Sequence, residues 1–362
     1  MPPSATGSQR GDAAAATGST ATRKAEHIRI NVEENVAAKG VETGFDRWRF
    51  IHCALPEIDL ADVTLDTSLL GKRAGAPLLI SCMTGGTDEA RQINLRLAAA
   101  AQARRLPMGL GSCRVLLERP DVLPTFAVRS VAPDVLLLAN LGAVQLNRGV
   151  TVQQCRRLLE MLEADALVLH LNPLQEALQP EGDTVFGGLL ARIRDVCASL
   201  DAPVVVKEVG WGISDDLVLA LLDAGVAAVD VAGAGGTSWS EVERHRIADP
   251  LRARVAGAFA GWGIPTAEAI ARARRAAPLA CILGSGGVRS GVDVAKAIAL
   301  GADAAGAAGP LLRAAVVSER AIADALDVML DELRLVMFCV GAATPHQLRS
   351  TPRLERIDGA PA

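Results

Sequence analysis

Two stretches of the sequence combine cations, histidines and a carboxylate in a way that suits a phosphorylated ligand and a metal ion. The first, RKAEH at 23–27, puts His27 four residues after Arg23, so both share one face of a helix. The second, HLNPLQE at 170–176, leaves an apolar run and presents Gln175 beside Glu176. One carboxylate is too few for a calcium cage but suits Mg²⁺ held by one acid, waters and substrate phosphates. Taken alone, the stretches also fit simpler interpretations: solvated charges, an interior His170 and a solvated loop acid.

A lysine and two glycine-rich turns indicate a second anionic group. Lys207 ends the apolar run VVVK, where a cation is costly without an anionic partner. An ion pair with Glu208 or another acid is one alternative for that partner. GSGGVRSG (284–291) and GAAGP (306–310) end two successive apolar runs, and barrels commonly bind phosphate at such turns. The simpler alternative is that the glycines only allow a tight turn.

Eight apolar runs carry these residues, and each run is followed by an amphipathic pattern typical of a helix. This alternation predicts an α/β fold, a closed (β/α)₈ TIM barrel with reactive groups at the carboxyl ends of its strands. One helical pattern begins at Ser214, a good N-cap. Segment 253–266 could be an extra strand, but we place it in an enlarged connection after the sixth strand. The eight runs are 76–81, 107–112, 135–140, 166–171, 203–209, 227–233, 280–287 and 303–309.

The flanks predict additions to one barrel domain over residues 23–350, with a barrel core at about 76–315. Residues 1–22 hold almost no large apolar side chain, which predicts a disordered tail. Residues 23–75 predict a helix and a hairpin at the barrel bottom or mouth. Residues 316–350 predict helices outside the barrel, and residues 351–362 a flexible C-terminus.

Composition excludes several functional classes. The net charge of −4 provides no basic field for nucleic acid or an acidic membrane. No run of about 18 uncharged apolar residues predicts a membrane span. The seven cysteines are scattered without CxxC spacing, which predicts reduced thiols in the cytoplasm rather than disulfides or zinc ligands.

Taken together, these segments resemble the type 2, FMN-dependent isopentenyl diphosphate isomerase family. The shared motifs occur in family order over residues 23–315. Among FMN barrels, RK-x-x-H, MTGG and HLN-x-x-QE followed by PEGD are specific to this family. The full set is RKAEH, CMTGGT, GSCR, LANLGA, HLNPLQE, PEGD, VVVKEVGWG, GAGGTSW, GWGIPT, GSGGVRSG and AAGPLL.

The resemblance implies an isomerase of isoprene biosynthesis that interconverts isopentenyl and dimethylallyl diphosphate. It implies reduced FMN as acid and base, Mg²⁺ on the diphosphate, NADPH as reductant and a cytoplasmic homo-oligomer, a tetramer or larger. Catalytic positions would be Gln175, His170 and His27, and the metal would contact Glu176. Substrate contacts would come from Arg23, Lys24, Ser112, Cys113, Arg114 and Gln175. Flavin contacts would come from Cys82, Met83, Thr84, Ser112, Asn140, Lys207, Thr237, Gly286, Gly287, Val288, Arg289, Ala308 and Gly309, with Lys207 stabilising negative charge on the reduced ring.

Four positions depart from the family pattern. Cys82 stands where a small Ala or Ser is more common, and Cys113 where Gln is common. Ala232 replaces a frequent flavin-contacting Ser, and Ala234 replaces a frequent Arg. Loss of one hydroxyl contact predicts FMN binding weaker by about 1 kcal/mol.

Two rival functions fit the same fold. An FMN-dependent α-hydroxy-acid oxidase would need a His and an Arg to take the substrate α-proton and bind its carboxylate. A non-catalytic flavin-binding barrel would have lost Glu176 or the Arg23-Lys24 pair, and both are present.

Overall fold

The structure is a computed structural model that describes residues 11–357, with side chains from residue 22 onward. Its centre is a closed barrel of eight parallel strands whose order around the barrel follows their order along the chain. Every barrel strand overlaps one of the eight predicted apolar runs, and only the third strand extends past its run, by two residues, so the predicted TIM barrel is confirmed. The strands are β1 Trp48–Phe50, β2 Thr67–Leu69, β3 Lys72–Ala74, β4 Leu78–Ile80, β5 Met108–Gly109, β6 Leu137–Gly142, β7 Ala166–His170, β8 Val204–Lys207, β9 Ala228–Asp230, β10 Cys281–Ser285, β11 Ala304–Ala307 and β12 Leu354–Arg356.

The barrel strands read as continuous apolar runs because both of their faces are buried. Leu79, Leu138, Val168 and Leu283 belong to the cluster that fills the barrel interior. Their neighbours along each strand face the surrounding helices in a larger cluster. Leu69 of the β2–β3 hairpin joins the interior cluster, so the hairpin packs against the barrel core.

Helices follow the strands at nearly every connection. Thr151 and Ser290 begin α4 and α11 with capping boxes. Ser214 occupies the N-cap position of α7, but its side chain does not cap the helix backbone, which corrects the prediction in that detail. The helices are α1 Gly11–Glu33, α2 Asp88–Arg104, α3 Val115–Glu118, α4 Val152–Leu162, α5 Pro173–Leu178, α6 Leu189–Ser199, α7 Asp215–Asp223, α8 Trp239–Arg246, α9 Pro250–Gly257, α10 Thr266–Ala276, α11 Gly291–Ala299, α12 Gly309–Val317, α13 Glu319–Cys339 and α14 Pro345–Arg349.

Segment 253–266 lies in the connection after the sixth barrel strand, β9, as predicted. It contributes the end of α9 and the turn into α10, and β9 pairs directly with β10. α13 packs against α2, α11 and α12 on the outside of the barrel, which is where the sequence predicts the C-terminal helices.

Both ends of the chain differ from the sequence predictions. α1 begins at Gly11, within the Ala-rich segment predicted to be disordered through residue 22; Ala has the highest helix propensity. Residues 1–10 lie outside the described residues. β12 pairs antiparallel with β1 inside the predicted flexible C-terminus, and Arg49 and Glu355 form an ion pair across the two strands at 2.6 Å. Residues 358–362 lie outside the described residues.

Two arginines fasten the beginnings of barrel strands with the same set of hydrogen bonds. Arg129 donates to the carbonyls of residues 132, 133, 135 and 163 and to Asp165, whose carboxylate accepts the N–H of Leu137 in β6. Arg274 donates to the carbonyls of residues 277, 278, 280 and 301 and to Asp303, whose carboxylate accepts the N–H of a β10 residue, Ile282. We call these arrangements the Arg129 clasp and the Arg274 clasp.

Candidate active site

The carboxyl ends of the barrel strands surround a cavity of about 410 Å³ that α1 partly covers. All but one of the predicted site residues line this cavity. The exception is Cys113, which is fully buried behind the wall and donates its thiol to the carbonyl of Gly111 at 3.2 Å. The predicted residues on the wall are Arg23, Lys24, His27, Cys82, Met83, Thr84, Ser112, Arg114, Asn140, His170, Gln175, Glu176, Lys207, Thr237, Gly286, Gly287, Val288, Arg289, Ala308 and Gly309.

One end of the cavity is a cradle of backbone with little room for side chains. Gly286 has φ +108°, and a Cβ there would lie 2.1 Å from the carbonyl oxygen of Gly233. Gly287 has φ +69°. The adjacent helix α12 begins at Gly309, which lines the cavity, and its N-terminus has no side-chain cap. Free N–H groups at a helix N-terminus and a close-fitting glycine turn are what a phosphate group requires.

Two of the departures from the family pattern lie beside this cradle. Ala232 lines the cavity in a left-handed conformation with φ +39°, and its N–H donates to Asp230 at 3.2 Å. Ala234 is buried, and its methyl side chain has no polar atom with which to bind a ligand. The wall also contains Ser81, whose buried hydroxyl oxygen has no hydrogen-bond partner among the described residues. An orphaned buried hydroxyl at this wall fits a polar ligand.

Lys207 extends from the end of β8 into the cavity without an ion pair to Glu208. Its Nζ donates to the backbone carbonyl of Glu208 at 2.5 Å. The Glu208 carboxylate instead accepts the N–H groups of residues 209–211, at 2.5 to 2.6 Å. Burial raises the pKa of Glu208 to about 7 despite those bonds. The alternative of an ion pair between Lys207 and Glu208 is therefore wrong.

The charge of Lys207 acts on the groups around it. Burial raises the pKa of Asp230, and Lys207 opposes that rise. Burial likewise raises the pKa of the Cys82 thiol to about 12 against the effect of Lys207. Cys82 is therefore a neutral thiol at physiological pH.

His170 is held as a neutral imidazole at the end of β7. Its Nδ1 lies 2.9 Å from Oδ1 of Asn140, an acceptor, so Nδ1 carries the proton and Nε2 has a free lone pair. Burial, with the nearby charge of Lys207, lowers the pKa of His170 to about 3. His170 is thus a hydrogen-bonding group and not a cation.

Glu243 is the centre of a hydrogen-bond cluster that the sequence analysis did not anticipate. Its fully buried carboxylate accepts from His27 at 3.1 Å, Gln175 at 3.0 Å and Gln179 at 2.8 Å. Arg246 donates to its other oxygen at 2.6 Å. The cluster joins α1, α5 and α8 around the cavity and fixes the amide of Gln175.

Three cations at the opposite end from the glycine cradle have polar partners. Arg23 donates to Gln179 at 3.2 Å, and Arg114 donates to Asp183 at 3.2 Å. Lys24 donates to the carbonyl of Ser112 at 3.0 Å and lies 5.1 Å from the centre of the Phe126 ring. Burial lowers the pKa of Lys24 to about 8. Three cations at one end suit a ligand with several negative charges.

Glu176 lies beside these cations at the start of α5. Asn172 donates to its Oε1 at 2.9 Å, and the N–H of Asp183 donates to its Oε2 at 2.7 Å. The buried Oδ1 of Asn172 lacks a partner among the described residues. No cluster of three or more His, Cys, Asp or Glu that could hold a metal ion occurs in residues 11–357. A metal at Glu176 would therefore need further oxygen ligands from a phosphate and from water.

Sequence reasoning missed several residues of this site. Gln179, Asn172 and Trp239 line the cavity, while Glu243 and Asp183 hold its lining residues. Asn172 and Asp183 lie inside the family motifs HLN and PEGD, but the resemblance implies no role for either residue. Glu243 lies one helical turn after Trp239 in the helix that follows GAGGTSW, a position that a search of the α8 face could have found.

Curated relatives share about half of their residues with this chain over nearly its whole length. A Synechococcus protein is 55% identical over 335 residues, covering 92% of this chain and 96% of its own length. A Nostoc protein is 52% identical, covering 93% and 97%, and one from Rickettsia bellii is 49% identical, covering 90% and 95%. All three are named isopentenyl-diphosphate delta-isomerase. This chain belongs to that family. Residues 168–355 also match the family described as FMN-dependent dehydrogenase.

Solved structures with the same fold are less similar in sequence to this chain than the curated relatives are. A mandelate oxidase variant with a monooxide FMN adduct has a TM-score of 0.59 at 20% identity, covering 92% of this chain and 91% of its own. Mandelate oxidase with (S)-2-phenylpropionate has a TM-score of 0.62 at 19% identity, covering 94% and 97%. At these identities the likeness establishes the fold alone. None of the helices in residues 11–357 has both the length and the apolar character needed to cross a membrane.

Proposed function

We propose that this chain interconverts isopentenyl diphosphate and dimethylallyl diphosphate, with FMN and Mg²⁺ as cofactors. The observation that carries the proposal is the composition of the cavity. A glycine cradle for a phosphate lies at one end, and Arg23, Lys24 and Arg114 lie with Glu176 at the other. The names of the relatives support the choice of substrate.

The residues of the cradle fit FMN. Its phosphate would be held by backbone at 286–289 and 308–309 and by Thr237, and its ring by residues 82–84, Ser112, Asn140 and Lys207. Bound and reduced, FMN would supply an acid and a base at its N5 region for the allylic proton transfers. Lys207 donates to the backbone carbonyl of Glu208 and not to its carboxylate, and from the cavity wall it would stabilise negative charge on the flavin.

The diphosphate end of the cavity supplies binding energy and orientation. Arg23, Lys24 and Arg114 would bind phosphate oxygens, with Ser112 and the region of Cys113 completing that wall. Glu176 would hold Mg²⁺, with phosphates and water completing the coordination. Fixing the charged end of a small substrate positions its double bond for reaction.

The side chains of the wall orient the substrate, and none of them is a strong base. No carbonyl acidifies the substrate C–H bonds, so an ordinary histidine or carboxylate has no acidified proton to remove from the neutral alkene. Neutral His170 and the amide of Gln175 would act as hydrogen-bonding groups near the reacting carbons. His27, held by Glu243 and edge-on to Trp239 at 5.1 Å, would close the pocket and exclude water.

Three further assignments belong to the same proposal. NADPH would load the flavin, since the isomerisation itself is redox-neutral. The enzyme would be a cytoplasmic homo-oligomer, a tetramer or larger. These assignments rest on the family resemblance and not on the geometry of the cavity.

The decisive experiment mixes anaerobic enzyme, reduced FMN and Mg²⁺ with either C5 diphosphate. Interconversion of the two is expected, and its absence refutes the proposal. Glu176→Gln should abolish the Mg²⁺ dependence and most activity while flavin stays bound. Glu160→Gln, an exposed acid on α4, is the matched control. An intact Mg²⁺ response in Glu176→Gln would contradict the metal assignment.

Oxidation of an α-hydroxy acid is the second candidate, because the match of residues 168–355 to the FMN-dependent dehydrogenase family favours it. Such an enzyme needs a histidine base. Here His170 has a free lone pair but a pKa of about 3, and His27 is bound to Glu243. Anaerobic mixing with mandelate, followed at the flavin absorbance, tests this candidate: bleaching of the flavin would favour oxidation.

A further inference from the structure

Asp183 is a conspicuous carboxylate outside the residues assigned so far. It lies in the turn after α5, with 14% of its side chain exposed. Its carboxylate accepts from Arg148 at 2.7 Å, Gln145 at 3.0 Å and Arg114 at 3.2 Å. Its own N–H donates to Glu176 at 2.7 Å. Asp183 therefore contacts both Glu176, the proposed metal ligand, and Arg114, one of the cations proposed to bind the diphosphate.

The partners of Asp183 come from three successive strand ends. Arg114 follows β5, Gln145 and Arg148 follow β6, and Glu176 follows β7. Gln145 is buried and lines the cavity, so it anchors Asp183 from the inside. Asp183 thereby connects this sector of the cavity rim, with partners 7 to 69 residues away in sequence.

Arg114 needs such an anchor because it is 44% exposed and has another partner available. Glu118, one turn further along α3, lies 3.5 Å from its Nε. Without Asp183, the guanidinium could turn toward Glu118 and solvent. Ordering a long, flexible cationic side chain during binding lowers the affinity for the ligand, and holding the side chain in place beforehand avoids that cost.

We propose that Asp183 is a positioning residue that holds Arg114 and Glu176 in the arrangement that binds a diphosphate with Mg²⁺. The inference rests on the proposed function. Positioning and simple electrostatics predict opposite changes in diphosphate affinity when Asp183 is neutralised. A carboxylate repels a diphosphate, so if Asp183 acted only through its charge, its neutralisation would tighten diphosphate binding. If Asp183 acts by positioning, neutralisation weakens that binding.

The test measures binding of inorganic pyrophosphate with Mg²⁺ to the full-length, FMN-loaded enzyme by calorimetry. Asp183→Asn should raise the Kd about tenfold, as expected for loss of a charged hydrogen bond that orders the binding group. KM for the C5 diphosphate should rise by a similar factor while kcat changes little. In an Arg114→Ala background, Asp183→Asn should have no further effect, because Arg114 has been removed and the substitution leaves the backbone N–H that donates to Glu176 in place.

The matched control is Asp121→Asn, which breaks the exposed pair with Arg119 and should leave the pyrophosphate Kd unchanged. Tighter or equal binding by Asp183→Asn overturns the inference, as does a full additional loss in the Arg114→Ala background. If Asp183→Asn loses its fold or its flavin, Asp183→Glu replaces it: positioning predicts weaker binding, and charge alone predicts no change. Arg114→Ala with unchanged pyrophosphate affinity would instead refute the diphosphate site in the proposed function, and the inference with it.

Discussion

Replacing Glu243 by Gln should weaken the fold and the active site together. The side chain is fully buried, so water cannot replace the lost interactions. The three donors on Oε1, from His27, Gln175 and Gln179, would meet a neutral amide, which accepts less strongly than a carboxylate. Arg246 would lose one of its three carboxylate partners.

The size of the effect follows from the pKa of Glu243. Burial alone would raise that pKa, but hydrogen bonds from His27 and Gln175 and the charges of His27 and Arg246 lower it from 4.5 to about 2. The difference corresponds to about 3 kcal/mol of stability. Because the folded-state pKa is depressed, this contribution is complete above pH 4.5 and is lost as the pH falls through about 2. Removing one member of a buried ion pair typically costs about 3–5 kcal/mol, which agrees.

The assay compares Glu243→Gln with Glu241→Gln, both in the FMN-loaded enzyme. Glu241 is also buried on α8 but pairs with Lys39 and Arg244, which do not line the cavity. Glu243→Gln should lower the urea midpoint by about 1 M and kcat/KM at least about tenfold. Glu241→Gln should lose stability while keeping KM. Equal kinetics in the two variants, or no stability loss in Glu243→Gln, would refute this reasoning.

Three further predictions concern separate parts of the molecule. Burial lowers the pKa of Lys24 to about 8, so in initial-rate profiles KM should rise as the pH passes above that value and the ammonium loses its charge; Lys24→Arg should remove the rise. Gly286→Ala should weaken FMN binding more than about tenfold in a fluorescence titration, because its Cβ would meet Gly233; Gly71→Ala, with φ +82° but open space around it, is the control for backbone strain. Arg129→Lys and Arg274→Lys should each lower thermal stability by about 2–3 kcal/mol without changing KM, and a clear difference between the two would show that the clasps are not equivalent.

The barrel could be predicted from sequence because its signal is local and repeated. Each strand is buried on both faces, so the runs at 135–140 and 203–209 stand out from the amphipathic helices around them. The ends of the chain gave no such signal. β12 pairs with β1 across about 300 residues of sequence, and three residues with mixed burial have no pattern that reveals a strand.

The cavity wall could be predicted to the extent that its residues lie at strand ends. His170, Lys207 and Gly286 end or follow apolar runs, and fold geometry alone brings them together. Glu243 lies in α8 and not at a strand end, so strand-end reasoning could not find it. Its function depends on three hydrogen-bond donors that come from α1 and from α5 and its C-terminal cap. Lys207 shows the same limit: its neighbour Glu208 was a reasonable partner in sequence, but the backbone turn after β8 directs that carboxylate to the N–H groups of residues 209–211.

The two clasps lie at the bottom of the barrel, each below one of the two anion-binding ends of the cavity. In each clasp the strand N–H lies eight residues after the arginine, on Leu137 or Ile282. β6 and β10 are four strands apart in the eight-stranded barrel, so the clasps lie on opposite sides of it. Above β10 and β11 lies the glycine cradle, and above β5 to β7 lie the cations and Glu176. Since each anion-binding end stands over its own fastened strand, the rigid barrel would set the separation of the two ends, while α1 and the segments after the strands carry the cations that bind the diphosphate. That rigidity suits a reaction in which side chains contribute position rather than proton transfer.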